Sequence, residues 1–116
     1  MTTLISKSPS PLYAVGGKNI TLEWTYTLDG TFLSGQLLIA NDDGSDLNIG
    51  VSGSPGAVTF QPQFQARFRG YITDTRAELT ILAVERSDEE KYKINVLSSK
   101  GGSVSDIIDL VVNCKY

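Results

Sequence analysis

SDEEKYKINV, residues Ser87 to Val96, is a charged turn that runs into an alternating strand. The strand sets apolar positions against polar ones, namely Tyr92, Ile94 and Val96 against Lys91, Lys93 and Asn95. This period of two predicts one buried face and one solvated face. Asp88 at the turn and Tyr92 four residues later predict a corner in which the tyrosine hydroxyl hydrogen-bonds back to the turn.

Short alternating segments of the same kind recur along the rest of the chain. The clearest is Ile20 to Tyr26, and no stretch has a helical period long enough for a helix of several turns. Pro9 and Pro11 divide the first strand, as expected at a sheet edge or at a switch between sheets. About eight or nine short strands at such spacing predict an all-β, antiparallel two-sheet sandwich.

Length and composition predict one globular domain over residues 1–116. The chain has 41% apolar and 20% charged residues, which is ordinary for a folded domain. A net charge of −3 with scattered Lys and Arg argues against nucleic-acid binding. The sequence contains no run of about 18 apolar residues that would span a membrane.

The residue types of a catalytic site are largely missing. The chain has no histidine, which excludes Ser-His-Asp and Cys-His catalysis, and we expect neither an enzyme nor a bound cofactor. The acidic cluster of Asp42, Asp43 and Asp46 could offer carboxylates to calcium, but a solvated hairpin turn is the favoured interpretation. No metal site is therefore predicted.

Cysteine and glycosylation signals point to different compartments. Cys114 is the only cysteine, so no disulfide can form within this chain. It could pair with a following domain, which we favour, bridge two molecules, or remain a free thiol. Asn19-Ile20-Thr21 is an N-glycosylation acceptor sequence, which has meaning only in the secretory pathway. Alternatively, Asn19 is only the polar start of a strand.

Several segments together resemble a variable-type immunoglobulin domain over most of the chain. They are GKNITL at 17–22, Arg67-Phe68 with Gly70, Leu79-Thr80-Ile81, and Asp88 with Tyr92. The resemblance implies that Arg67 pairs with Asp88 beside the corner. Breaking such a partly buried pair costs more than lacking it.

Two departures from that family pattern concern its disulfide. Trp24 and Ile94 occupy the positions of the two cysteines that the family joins, and the position of its core tryptophan falls in 36–38. The missing bridge would contribute about 4 kcal/mol by the chain-entropy model. A buried Trp24 packed on Ile94 and on Leu37 or Leu38 can offset that loss.

A variable-type domain without this disulfide is similar to the membrane-distal domains of allorecognition receptors from colonial hydroids. That resemblance implies a homophilic cell-cell recognition module on the extracellular face of the plasma membrane. Met1 and Thr2 lead directly into strand-like sequence, which suggests a start methionine ahead of a mature ectodomain of a type I membrane protein. Alternatives are a heterophilic ligand-binding or innate-immune domain, and a structural sandwich from a viral or bacterial surface protein.

The resemblance also implies which surface binds. Variable-type domains bind through the face of the strands that the family letters G, F, C and C′. Here Lys91 to Val96 would be strand F, and 36–38 would lie on strand C. On this face we expect one or two of Leu37, Leu38 and Ile39 beside Lys91, Lys93 and Asn95. Alternatively, Leu37 and Ile39 point inward and Leu38 alone is exposed. The remaining interface candidates are Asp42, Asp43 and Asp46, which could complement Lys91 and Lys93 across a two-fold axis.

Overall fold

The computed structural model of the protein describes residues 3–113. In this range it has eleven strands, nine of them with four or more residues: β1 Thr3–Lys7, β2 Leu12–Val15, β3 Ile20–Thr27, β4 Phe32–Ala40, β5 Asp46–Ser52, β6 Gly56–Ala57, β7 Thr59–Phe60, β8 Phe68–Ile72, β9 Arg76–Ile81, β10 Lys91–Ser98 and β11 Ser103–Asn113. Two 3₁₀ helices occupy Pro62–Phe64 and Arg86–Asp88. The predicted strand-rich fold with eight or nine principal strands is confirmed.

The strands form two sheets that pack face to face. One sheet has the order β1-β3-β9-β8-β6, and the larger one has the order β2-β11-β10-β4-β5-β7. All pairings are antiparallel except the parallel pair of β2 and β11. Added strands beside the central three of the larger sheet are typical of the variable-type arrangement. The structure therefore confirms the sandwich topology that the resemblance implied.

The first strand changes sheets at its prolines, as predicted. β1 pairs with β3 in the smaller sheet, whereas β2 pairs with β11 in the larger one. Pro9 and Pro11 lie in the segment between them. Proline has no backbone N–H to give to a ladder, so the transfer between sheets falls where ladder bonding is interrupted.

The core is built around Trp24, Leu37 and Ile94, whose exposure is 0%. Ile94 lies opposite both Leu37 and Asp106 in the larger sheet. Trp24 lies on β3 of the other sheet, and its Nε1 donates to Asp106 Oδ2 at 3.0 Å. The indole therefore reaches across the sandwich to the strand beside Ile94, where the related domains have a disulfide.

β5 departs from the simple alternation of its sequence. Its register against β4 shifts between Leu37 and Leu38, and Ile49 and Gly50 are both buried. A Cβ on Gly50 would lie 2.6 Å from Val58 Cγ1, so this position must be glycine for Val58 to pack. The bulge moves Val51 to the outer side of the sheet, away from the buried face that Ile49 occupies.

Asp88 holds the predicted corner together. Arg67 donates from Nη1 to Asp88 Oδ2 at 2.7 Å and from Nη2 to Oδ1 at 2.9 Å. Oδ2 also accepts the Glu85 amide at 2.8 Å, and the Tyr92 hydroxyl donates to the Asp88 carbonyl at 2.6 Å. Both expected contacts of the corner are present. The Asp88 carboxylate joins Arg67, just before β8, to the second 3₁₀ helix, and the Asp88 carbonyl joins that helix to Tyr92 of β10.

Replacing Trp24 with Ala should lower the free energy of unfolding by about 3 to 5 kcal/mol, because it leaves a cavity in a closed core. Urea unfolding monitored by far-UV circular dichroism measures this loss. Ile5→Ala, at a side chain that is 60% exposed, is the control and should change stability by less than about 0.5 kcal/mol. A loss below about 1 kcal/mol for Trp24→Ala would contradict the assigned core.

Tyr92→Phe should cost about 1 to 2 kcal/mol at neutral pH, because the buried Asp88 carbonyl loses its donor. Burial raises the pKa of Tyr92 above its usual value of 10.0. The folded state thus favours the neutral phenol. The stability that this preference adds is fully present below pH 10, and it is lost as the pH rises from there through the raised pKa of the folded state.

Unfolding in urea at several pH values above 10 tests this linkage. Stability should fall less steeply with pH in Tyr92→Phe than in the wild type. Tyr13→Phe, at an exposed side chain, is the matched control. Equal slopes for Tyr92→Phe and the wild type would show that the corner tyrosine is not linked to alkaline unfolding.

Candidate functional site on the outer face of the larger sheet

The outward side chains of β4, β5, β10 and β11 form one continuous surface, called here the outer face. Across the central strands, Lys93 lies between Ile107 and Leu38, and Asn95 lies between Ser105 and Gln36. The buried alternate residues of β10 hold this strand in register with both neighbours. The outer face is therefore the solvated half of the same alternation that builds the core.

Three apolar side chains of the outer face are more exposed than its half-buried Leu38. Val51 is 44% exposed, Ile107 39% and Leu97 38%. They are separated by amide and hydroxyl side chains, because Asn95 lies opposite Gln36 and Leu97 lies opposite Ser34. Such a surface can bury apolar area and form hydrogen bonds in the same contact.

Two ion pairs cover the end of the outer face next to the β4–β5 hairpin. Lys93 Nζ lies 2.9 Å from Asp46 Oδ2, with the two side chains 26% and 31% exposed. Lys93 is on β10 and Asp46 is on β5, so the lysine side chain crosses β4. Since Lys93 lies opposite Leu38, its alkyl stem is placed to cover that leucine, which is half-buried.

The second ion pair is looser. Lys91 Nζ lies 3.4 Å from Asp42 Oδ1, and the Asp42 side chain is 95% exposed. The lysines and aspartates that we expected to meet across a two-fold axis are therefore already paired within one chain. A contact between molecules would not find these charges free.

Leu37 and Ile39 are corrections to the predicted interface. They are 0% and 6% exposed and face the core, so they cannot take part in a surface contact. Leu38 alone of the three lies on the outer face. Three consecutive apolar residues do not reveal which face is buried; the register with β10 decides it, by placing Ile94 opposite Leu37.

The acidic hairpin turn has separate partners for its carboxylates. Asp43 Oδ1 accepts the Ser45 amide at 2.9 Å and the Ser45 hydroxyl at 2.6 Å. These hydrogen bonds lower the pKa of Asp43. Asp42 and Asp46 are turned toward lysines instead, and within residues 3–113 no group of three or more carboxylate, cysteine or histidine side chains is arranged to hold a metal ion.

Sequence reasoning missed Leu97, Ile107 and Val51. Leu97 continues the Lys91, Lys93, Asn95 series by two residues and could have been found from that period. Ile107 precedes another isoleucine, so alternation alone does not separate the exposed residue from the buried one. Val51 reaches the outer face only through the bulge in β5, which the sequence does not signal.

Asn19 lies at the start of β3, in the smaller sheet. Its side chain is exposed, and Oδ1 accepts the Ala83 amide at 3.0 Å. Thr21 of the same acceptor sequence has its Oγ1 2.9 Å from Thr80 Oγ1. A glycan at Asn19 would thus begin on a different sheet from the outer face.

A cleft of about 590 Å³ lies beside β8, β9 and the 57–60 segment. Phe60, Phe68 and Arg69 line it together with Tyr71 and Glu78. The Tyr71 hydroxyl donates to Glu78, and that hydrogen bond raises the pKa of Tyr71, so the phenol remains protonated. This pair offers no activated nucleophile.

Cys114, with its three possible pairings, lies outside the described residues. Within residues 3–113, no helix is long and apolar enough to cross a membrane.

The two packed sheets, the corner at Asp88 and the exposed sheet face define an immunoglobulin-like β-sandwich of variable type. Murine CRIg is a solved structure with such a domain, and it superposes with a TM-score of 0.74 over 100% of this chain and 99% of that chain. At 16% sequence identity, this similarity shows the fold alone. The chain matches no protein-family model and no curated protein.

The two ion pairs should differ in strength because they differ in exposure. A double-mutant cycle with Lys93→Ala and Asp46→Ala should give a coupling energy of about 0.5 to 1 kcal/mol, and the cycle at Lys91 and Asp42 should give about 0 to 0.3 kcal/mol. Urea unfolding at low salt and in 1 M NaCl measures both, and salt should reduce the larger value. Equal couplings would contradict the pairing described above.

Proposed function

We propose that this domain is an extracellular protein-recognition module of a cell-surface receptor, and that it binds a second copy of itself on an apposed cell through the outer face. The observation that carries the proposal is the set of exposed apolar side chains on that face, Val51, Leu97 and Ile107. In folds of this kind both loops and sheet faces can bind partners. The fold therefore does not select a surface, and we choose the outer face for its chemistry.

The apolar residues give the contact its driving force. Each has about 40% of its side chain exposed, and a partner that covered them would remove apolar surface from water at about 25 cal/mol per Å². Asn95 and Gln36 lie between them and offer amide donors and acceptors that orient the partner. Apolar side chains and hydrogen-bonding groups within one contact are the usual composition of a protein interface.

Charge on the outer face favours a like partner. The lysines at 91 and 93 are balanced by the aspartates at 42 and 46 within one chain. Two copies can therefore approach through this face with little repulsion, although the whole chain carries a net charge of −3. A two-fold contact of this kind buries the same residues on both sides.

An extracellular location fits the remaining features. The acceptor sequence at Asn19 lies on the smaller sheet, so an N-glycan there would leave the outer face accessible. Self-recognition in particular is an expectation from the resemblance to allorecognition receptors of colonial hydroids, and the comparisons support the immunoglobulin-like fold alone. Anchoring in the plasma membrane as a type I protein would be supplied by other parts of the full-length chain.

Self-association of the purified domain tests the proposal. Beads coated with the domain should aggregate, and sedimentation should show a concentration-dependent dimer. Leu97→Glu places a charge among the exposed apolar residues of the outer face and should weaken self-association about tenfold or more. Ala57→Glu, at an exposed residue of β6 in the smaller sheet, is the control for the added charge and should leave binding unchanged.

Two outcomes would contradict the proposal. If the wild type shows no self-association at any concentration, the partner is a different protein and the heterophilic alternative holds. If Leu97→Glu and Ala57→Glu weaken self-association equally, the outer face is not the contact surface. Circular dichroism confirms that both variants remain folded.

A further inference from the structure

We infer that β1 can exchange between two copies of the chain, so that β1 of each copy pairs with β3 of the other. This inference deepens the self-recognition proposed above and rests on it for its biological role. It depends on a different part of the molecule, namely the sandwich edge formed by β1, β3 and β11.

β1 is held less firmly than the other long strands. Only Leu4 of its five residues is partly buried, and the other four are exposed. Within the described chain, β1 pairs along one side only, with β3, and a bulge between Leu4 and Ser6 interrupts that pairing. Releasing β1 therefore uncovers little apolar surface of its own.

The segment between β1 and β2 has a defined pivot. The Ser8 amide donates to the Glu23 carbonyl at 2.9 Å, which fixes Ser8 to the smaller sheet. Ser10 Oγ accepts the Asp109 amide at 3.0 Å, which fixes Ser10 to the larger sheet. Pro9 lies between these two anchors. Its ring fixes φ, but it has no N–H, so a change of ψ at Pro9 breaks no backbone hydrogen bond donated by that residue.

The position that β1 vacates is specific for β1 itself. Lys7 Nζ lies 3.1 Å from Asp106 Oδ2 and 3.2 Å from Oδ1, and Trp24 Nε1 donates to the same carboxylate. Without β1, a carboxylate that is 18% exposed would lose its cation, and Trp24 would lose its register partner, Lys7.

A second copy supplies the same lysine and the same strand register. The exchanged dimer therefore makes the same contacts as two separate monomers, so the contact energies of the two forms differ little. The protein concentration then determines the fraction of exchanged dimer.

Disulfide trapping tests the exchange. Thr3 and Thr27 lie directly opposite each other in β1 and β3, and both are exposed. Thr3→Cys with Thr27→Cys, in a chain carrying Cys114→Ser, can form a bond within one chain or, after exchange, between two chains. Oxidation after incubation at low and high protein concentration should give a disulfide-linked dimer whose share rises several-fold with concentration on a non-reducing gel.

The matched control is Thr21→Cys with Thr80→Cys, also with Cys114→Ser. These threonines lie opposite each other in β3 and β9, with hydroxyls 2.9 Å apart and no proline pivot nearby. This pair should form only the bond within one chain. If the Thr3/Thr27 pair is also monomeric at every concentration, or if both pairs give equal dimer, the exchange does not occur.

Adding Leu97→Glu to the trapping variant separates the two proposals. If both proposals hold, this variant should still form the disulfide-linked dimer while its bead aggregation is lost. Bead aggregation that persists with Leu97→Glu would overturn the outer-face contact and leave the exchange standing. Aggregation that is lost with Leu97→Glu, in a chain that never forms the linked dimer, would overturn the exchange and leave the outer-face contact standing. If the cysteine variant fails to fold, hydrogen exchange of the chain with Cys114→Ser alone decides the matter. The β3 amides bonded to β1 should exchange faster than those bonded to β9, and equal protection would overturn the inference.

Discussion

The hydrogen-bonded ion pair of Asp88 with Arg67 is the interaction on which the corner before β10 depends. Asp88 is 5% exposed, and its carboxylate receives both guanidinium bonds of Arg67 and the Glu85 amide. The Asp88 carbonyl receives the Tyr92 hydroxyl in addition. A buried charge is tolerated only when it is paired and hydrogen-bonded, so these groups are fixed relative to one another. Because Tyr92 is held inward, Lys91 and Lys93 must point outward.

The disulfide that joins the two sheets in variable-type domains is absent here, so packing and hydrogen bonding around Trp24 join the sheets instead. Trp24 fills the space from the smaller sheet, and its indole N–H is satisfied by Asp106 on the larger one. Asp106 also binds Lys7 of β1. The same carboxylate thus serves the core and the edge, which couples the position of the first strand to the packing of the tryptophan.

The outer face follows from this internal order. Buried residues of β10 alternate with exposed ones, and each exposed residue has a register partner on β4 and β11. The lysines find aspartates within the chain, and apolar residues remain exposed further along the sheet. The surface proposed for recognition is therefore the solvated side of the same strands that build the core, where apolar residues remain exposed.

The sequence by itself determined the sandwich, the corner and the burial of Trp24 and Ile94, because these follow from local alternation and from residue types at fixed spacing. The pairing of Arg67 with Asp88 was implied by the family resemblance instead. The sequence did not determine which of Leu37, Leu38 and Ile39 is exposed, or that Val51 lies on the outer face. Register and the bulge in β5 decide those points, since a shift of one residue reverses the side on which every side chain lies. The tertiary structure also decided that the lysines of β10 pair within one chain. Their aspartate partners lie in the β4–β5 hairpin, which is far from β10 in sequence.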